Sequence, residues 1–255
     1  MDSYIQAQRN NLDIGRQTPL FRELIGDADR AYRAVVDAHA ENASPIFGQF
    51  ILICHKSLVS AATLTAQSQP DDGAAITRRA VEAARTALAI KLNDQNTEQW
   101  LSFQRRHERW LKRQQNERPR TFQVHFQSIK GESLIDDLDN MLGVLSDSAV
   151  HFTPEYFITL DWEERRDSSG KGAIFLNYFH GDAREIERSL IYLGAAHLKI
   201  LEVFDRCLDG WFRSTPTIWE ALSTFIETGR RLNAEYERTY GIKRCSPSNA
   251  DETTA

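Results

Sequence analysis

The sequence predicts a mainly α-helical single domain that carries one β-hairpin. Three observations lead there. Apolar residues recur at three- and four-residue spacing along most of the chain, the repeat that lines one face of a helix. Hydroxyl–proline pairs, Thr18-Pro19, Ser44-Pro45 and Thr215-Pro216, head several of these runs. A capping hydroxyl followed by proline at the first helical position suits a helix start. Between about residues 155 and 180 the apolar period changes to two, as in a strand.

Residues 1–17 have no apolar core, so they read as a flexible N-terminus and not as a secretory signal. After Thr18, Phe21, Leu24, Ala28, Tyr32 and Val35 share one helix face. A second helix runs from Pro45 to about Gln67 and includes the most apolar stretch of the chain. His55, Lys56, Ser57 and Ser60 interrupt it, and its longest unbroken apolar run is Phe50–Cys54. That falls short of the ~18 apolar residues a membrane span needs, so a buried helix and no membrane are expected.

QPDDG then marks a turn, and a third helix extends from about Gly73 to Leu92. Its alanines (Ala80, Ala83, Ala84, Ala87) would let a neighbour approach closely. Thr97 caps a fourth helix through about Gln115, with Trp100, Phe103 and Trp110 on one face, and Pro119 breaks the pattern. A fifth begins at Ser133 and ends at Leu145 or slightly beyond.

Tyr156, Ile158, Leu160 and Trp162 form one alternating run, and Ile174, Leu176 and Tyr178 another. EERRDSSGKG is the loop between them. Asp182 and Glu185 make a capping box for a helix whose seam is Ile186, Leu190, Leu193, His197, Leu201 and Phe204. The last helix faces Ile218, Leu222, Phe225, Leu232 and Tyr236 inward. Residues 245–255 lack periodicity and are expected to be a disordered tail, which leaves 18–244 as the domain.

Composition narrows the function classes. Hydrophobic content of 41% and charged content of 26% are ordinary for a globular protein. A net charge of −5 excludes a whole-surface nucleic-acid coat but leaves room for a local basic patch. Cys54, Cys207 and Cys245 are widely spaced, with no CxxC pair, so neither a zinc knuckle nor a disulfide framework is suggested. A cytoplasmic protein is expected. SSGKG at Ser168–Gly172 lacks the earlier glycine and the following hydroxyl of a phosphate loop, and reads as a hairpin turn. His180-Gly181-Asp182 has no third ligand at a suitable spacing. Neither a metal nor a cofactor is expected.

One segment carries chemistry. Leu145–His151 reads LSDSAVH at the end of a helix-patterned stretch, and Thr77–Ala84 reads TRRAVEAA. Together they resemble the HEPN-like helical proteins, among which are bacterial toxins and phage-defence ribonucleases. The resemblance covers about residues 45–210 and rests on short motifs. It implies an HEPN-like helical bundle and metal-independent RNA cleavage by an Arg-x4–6-His pair, usually assembled across a homodimer. In such a site the RNA 2′-hydroxyl attacks the adjacent phosphate, arginine steadies the developing charge and histidine assists proton transfer.

Carried onto this chain, His151 matches the histidine, Ser146 stands where the arginine would be, and Asp147 is the adjacent polar residue. Serine offers one neutral donor in place of a charged fork, so another arginine must reach in or the site is inert. Arg78 and Arg79 are the candidate donors, with Glu82 at ion-pair spacing from Arg78. The bland readings stand beside these: an ordinary surface ion pair for Arg78, and a dipole-stabilised C-terminal histidine for His151. The bare Arg–His spacing also occurs at Arg33/His39, Arg118/His125 and Arg120/His125, so spacing alone does not discriminate.

Arg105 to Arg120 is the most basic stretch, with seven Lys/Arg against Glu108 and Glu117. Arg105, Arg109 and Lys112 would line its wet side, with Arg106 and Arg113 on the flank, as a phosphate-binding surface or simply a solvated helix face. The functional expectation is an RNA-binding or RNA-cleaving protein of a bacterial defence or toxin–antitoxin system, acting as a homodimer or with a protein of the same operon. Its rival is a non-catalytic scaffold that has lost the nuclease arginine.

Overall fold

The computed structural model describes residues 2–39, 45–113, 132–149, 162–166, 172–176 and 183–241. It is mainly helical. The chain runs α1 (Asp2–Gly15), a π-helix (Leu20–Ile25), α2 (Gly26–His39), α3 (Pro45–Ala66), α4 (Pro70–Leu92), α5 (Asp94–Arg113) and α6 (Ser133–Ala149). Two short strands follow, then α7 (Ala183–Cys207), the four-residue α8 (Trp211–Ser214) and α9 (Pro216–Tyr240).

Helix α4 is the hub: it pairs most extensively with α3 and also packs on α5, α6 and α7. Its alanines explain why. Ala80, Ala84 and Ala87 are fully buried, and Cys54 Sγ on α3 reaches the Ala80 carbonyl at 3.4 Å. With only methyl groups between them, the two backbones come within reach of one side chain. Ile51, Leu58, Val81, Leu88, Leu138, Leu190, Leu201 and Phe204 fill the core around this seam. Burial of side chains this size contributes about 1.5–3 kcal/mol each.

Several boundaries differ from expectation for local reasons. Residues 2–15, expected as a flexible arm, form α1, whose Asn11 and Gln8 side chains bond Gln67 O and Gln69 at the end of α3. A polar helix gives little periodic signal. Gly15 lets α1 sit against α3, because a Cβ there would lie 2.4 Å from the Ala66 carbonyl.

Thr18 does cap, since its Oγ1 accepts the Phe21 N–H at 3.3 Å, but the first turns are π-helical before α2 begins. PDDG is the first turn of α4 and not a turn before it: Pro70 is at the first helical position, followed by two acidic residues. For α5 the cap is Asn93, whose Oδ1 accepts the Gln95 N–H at 2.9 Å, while Thr97 bonds back to Ile90 O.

Helix α3 (Ile46–Ala66) is long and apolar enough to cross a membrane by length and composition, although its longest unbroken apolar run is short. Here Ile51, Cys54, Leu58, Ala61 and Ala62 join the core, whereas Leu52, Ile53 and Val59 stay exposed.

Strands β1 (Trp162–Arg166) and β2 (Gly172–Leu176) pair antiparallel, with Trp162 opposite Leu176 and Arg166 opposite Gly172. EERR therefore belongs to β1 and not to the loop, since backbone pairing tolerates polar side chains that show no alternation. Tyr156, Ile158, Leu160, Tyr178, Ser168 and the His180–Asp182 group lie outside the described residues, as does the tail 245–255.

Candidate functional site

One residue singled out on α4 meets one singled out on α6. Arg78 Nε donates to Ser146 Oγ at 3.0 Å, across a sequence separation of 68. Ser146 Oγ in turn donates to Leu142 O at 2.6 Å, so the hydroxyl is used on both sides. Glu82 takes an Nη2 proton of Arg78 at 3.0 Å, one turn along α4. Two of the five guanidinium donors are thereby engaged, and the remainder have no partner among the described residues.

The two helices run antiparallel here. Arg85, seven residues after Arg78, grips Asp139, seven before Ser146, through Nε and through Nη2 at 3.1 Å.

A cavity of about 480 Å3 opens beside this clasp, between α4, α6 and the start of α7. Thr77 and Leu145, the residues preceding Arg78 and Ser146, line it together with Arg188 and Tyr192. The Tyr192 hydroxyl is buried without a hydrogen-bond partner among the described residues, and burial pushes the phenol above its ordinary range. Arg188 pairs with Glu185 at 3.4 Å on the exposed side.

The other expected site residues divide. Arg79 is exposed and makes no hydrogen bond or ion pair among the described residues, so the geometry favours Arg78 of the two candidates. Asp147 lies in the last turn of α6. His151 lies outside the described residues. On α5, Arg105 is exposed and its Nε bonds back to Leu101 O at 3.3 Å. Arg106, Arg109, Lys112 and Arg113 follow in the same helix. Trp100 packs on Phe50 with ring centroids 5.2 Å apart, a core role and not a base-stacking platform.

A second polar cluster had no spacing signal in the sequence. Tyr32 OH and His197 Nδ1 lie 2.9 Å apart in the core, and Tyr32 stacks on His55 at 5.3 Å. His55 Nε2 meets Asp29 Oδ1 at 2.6 Å. Burial pushes the Asp29 carboxyl up, but hydrogen bonds from His55 and Arg33 outweigh it and hold the group below its usual range. Burial pushes the His197 ring down to about 3, aided by the charge of His55, so it stays neutral. Its Nε2 has no partner among the described residues.

Burial likewise raises the Cys54 thiol, and raises Cys207 to about 12. Tyr32, His197, Cys54 and Cys207 are too deep to meet a substrate, whereas His55 and Asp29 keep 19% and 27% of their side chains exposed. Among the described residues, no group of three or more His, Cys, Asp or Glu could hold a metal ion. Set beside known proteins, the chain matches no family model, no curated protein and no solved structure.

Proposed function

We propose that this chain is an HEPN-like helical protein that binds RNA and cleaves it without metal, in a bacterial defence or toxin–antitoxin setting. One observation carries the reading: the residue standing at the arginine position, Ser146, holds the guanidinium of Arg78 at 3.0 Å. A donor supplied from α4 takes the place of one the motif itself lacks. Arg78 then steadies charge on the phosphate while His151 handles the proton. The 2′-oxygen bonds to phosphorus, the bond to the 5′-oxygen breaks, and a cyclic phosphate and a 5′-hydroxyl remain. A fixed guanidinium aimed at developing charge is a strong rate lever.

The bundle packed around α4, and the β1–β2 pair within about 155–180, support reading the fold as HEPN-like with a hairpin insertion. In this proposal the protein is cytoplasmic and homodimeric, α3 is a core helix and not an anchor, and Arg105 to Arg113 gather the RNA backbone.

A second reading has its own observation. Arg78 is also bonded to Glu82, and the matching Arg85–Asp139 contact serves only to hold α4 to α6. On that reading the clasp is structural, and the protein is a non-catalytic scaffold for a partner from the same operon. Incubating the full chain with RNA in EDTA separates the two. The nuclease reading expects turnover that is lost in His151→Ala and Arg78→Ala with the fold retained. Absence of turnover, with a defined complex in a pull-down, leaves the scaffold.

A further inference from the structure

A second concavity lies between α7 and α9 and has a volume of about 610 Å3. The two helices are antiparallel: Phe212 N–H bonds Asp205 at one end, and Tyr236 OH bonds Arg184 O at the other. Groove residues on α7 run from Ile191 to Asp205, which at ~1.5 Å per residue gives a trough ~20 Å long.

Two glycines create it. Gly194 and Gly229 put no side chain into the gap, and Leu24 of the π-helix rises there as floor, so close that a Cβ on Gly194 would lie 2.8 Å from it. Leu222 and Phe225 extend this apolar floor, and Trp219 stands on the wall 46% exposed.

Charge at the rim is uneven. At the far end Asp205 pairs with Arg213, and Glu202 with Lys199. Arg231, beside the groove, pairs with Glu23. Arg230 lines the groove at the glycine end and has no ion pair or hydrogen bond among the described residues.

An apolar trough of small-molecule size with one convergent, unneutralised guanidinium is the pattern of a ligand site. We propose that this groove binds an aliphatic carboxylate, its chain lying over Leu24, Leu222 and Phe225 and its head forked onto Arg230. Arg213, the other cation lining the groove, is already taken by Asp205, so the groove offers one open cation among the described residues and the ligand is a monoanion. The guanidinium prefers a planar, bidentate acid to an alcohol or amine of equal length.

The test titrates the full chain with decanoate below its micelle concentration, by calorimetry and by intrinsic tryptophan fluorescence, to which Trp219 in the groove contributes, against decanol and decylammonium. Saturable binding of decanoate, with decanol at least about ten-fold weaker, is expected. Arg230→Gln abolishes that preference, while Arg231→Gln preserves it. Ala195→Trp, which changes an exposed residue lining the groove, blocks both ligands without altering the helical spectrum. Absence of saturable binding overturns the proposal. So do equal affinity for acid and alcohol, equal effects of the two arginine variants, and full binding by Ala195→Trp.

Discussion

Ser146 and Arg78 are joined by a 3.0 Å hydrogen bond although 68 residues separate them, and the same two helices are joined again seven residues away by Arg85 and Asp139. Seven residues are about two helical turns, so both contacts lie on one face of each helix. The first orients a guanidinium and the second sets the register that lets it arrive.

Arg78→Lys should fail to replace Arg78. Lysine keeps the charge but cannot bond Ser146 and a phosphate with a planar fork. On the proposed nuclease reading, RNA cleavage in EDTA should fall at least about 100-fold in both Arg78→Lys and Arg78→Ala, within the range for loss of an electrostatic donor. Arg79→Ala should retain wild-type turnover. Equal loss in Arg79→Ala would remove Arg78 from its special role.

The Arg85–Asp139 pair is substantially exposed, at 37% and 47% of the two side chains. Solvent screening limits its worth, so either single alanine variant should lower stability by no more than about 1 kcal/mol. A double-mutant cycle in urea should return a coupling no larger than that. A coupling of several kcal/mol would mean that the clasp is far more rigid than an exposed pair.

Acid should destabilise the fold through His197. Its folded pKa, near 3, lies below the ordinary 6.5, so only the unfolded chain takes up a proton as pH falls past 6.5. Stability from this group is complete above pH 6.5 and declines below it until pH nears 3. From pH 6.5 to 5 the loss should be about 2 kcal/mol. Tyr32→Phe combined with His197→Phe removes both hydrogen-bonding partners and should flatten the profile in that window. An unchanged slope in urea titrations at pH 7, 6 and 5 would contradict the assignment.

Two glycines should respond oppositely to alanine. Gly73 faces α3, where a Cβ would fall 2.3 Å from Thr65 Oγ1 and 3.0 Å from Ala61 O, so Gly73→Ala should cost about 1–3 kcal/mol. Gly143 lies inside α6 with nothing within 4 Å of an added Cβ, so Gly143→Ala should stabilise by roughly 0.5–1 kcal/mol. Thermal melts of the two variants should move in opposite directions.

The helix seams were readable because burial imposes a period. Leu190, Leu193, His197, Leu201 and Phe204 on α7, and Ile218, Leu222 and Phe225 on α9, face inward as their spacing requires. The alanine face of α4 announced a close neighbour, and α3 is that neighbour. Because Ser146 cannot do an arginine's work, the sequence points to Arg78 or Arg79 without choosing between them, and of the two it is Arg78 that touches Ser146.

Contacts without a local pattern were not readable. Tyr32 and His197 are 165 residues apart, each an ordinary member of its own helix stripe, and only the fold makes them partners. Helix α1 was missed because a mostly polar helix docked by its end carries no stripe. The groove between α7 and α9 was invisible because it depends on what Gly194 and Gly229 lack.

Cys54 and Cys207 give the molecule a built-in clock. Both sulfurs are sealed in the core and held as thiols, so an alkylating reagent in native buffer finds them only when the bundle opens. The rate at which these two positions acquire label, read apart from Cys245, therefore measures how often the α3–α4–α7 centre comes apart, with no engineered probe and no denaturant.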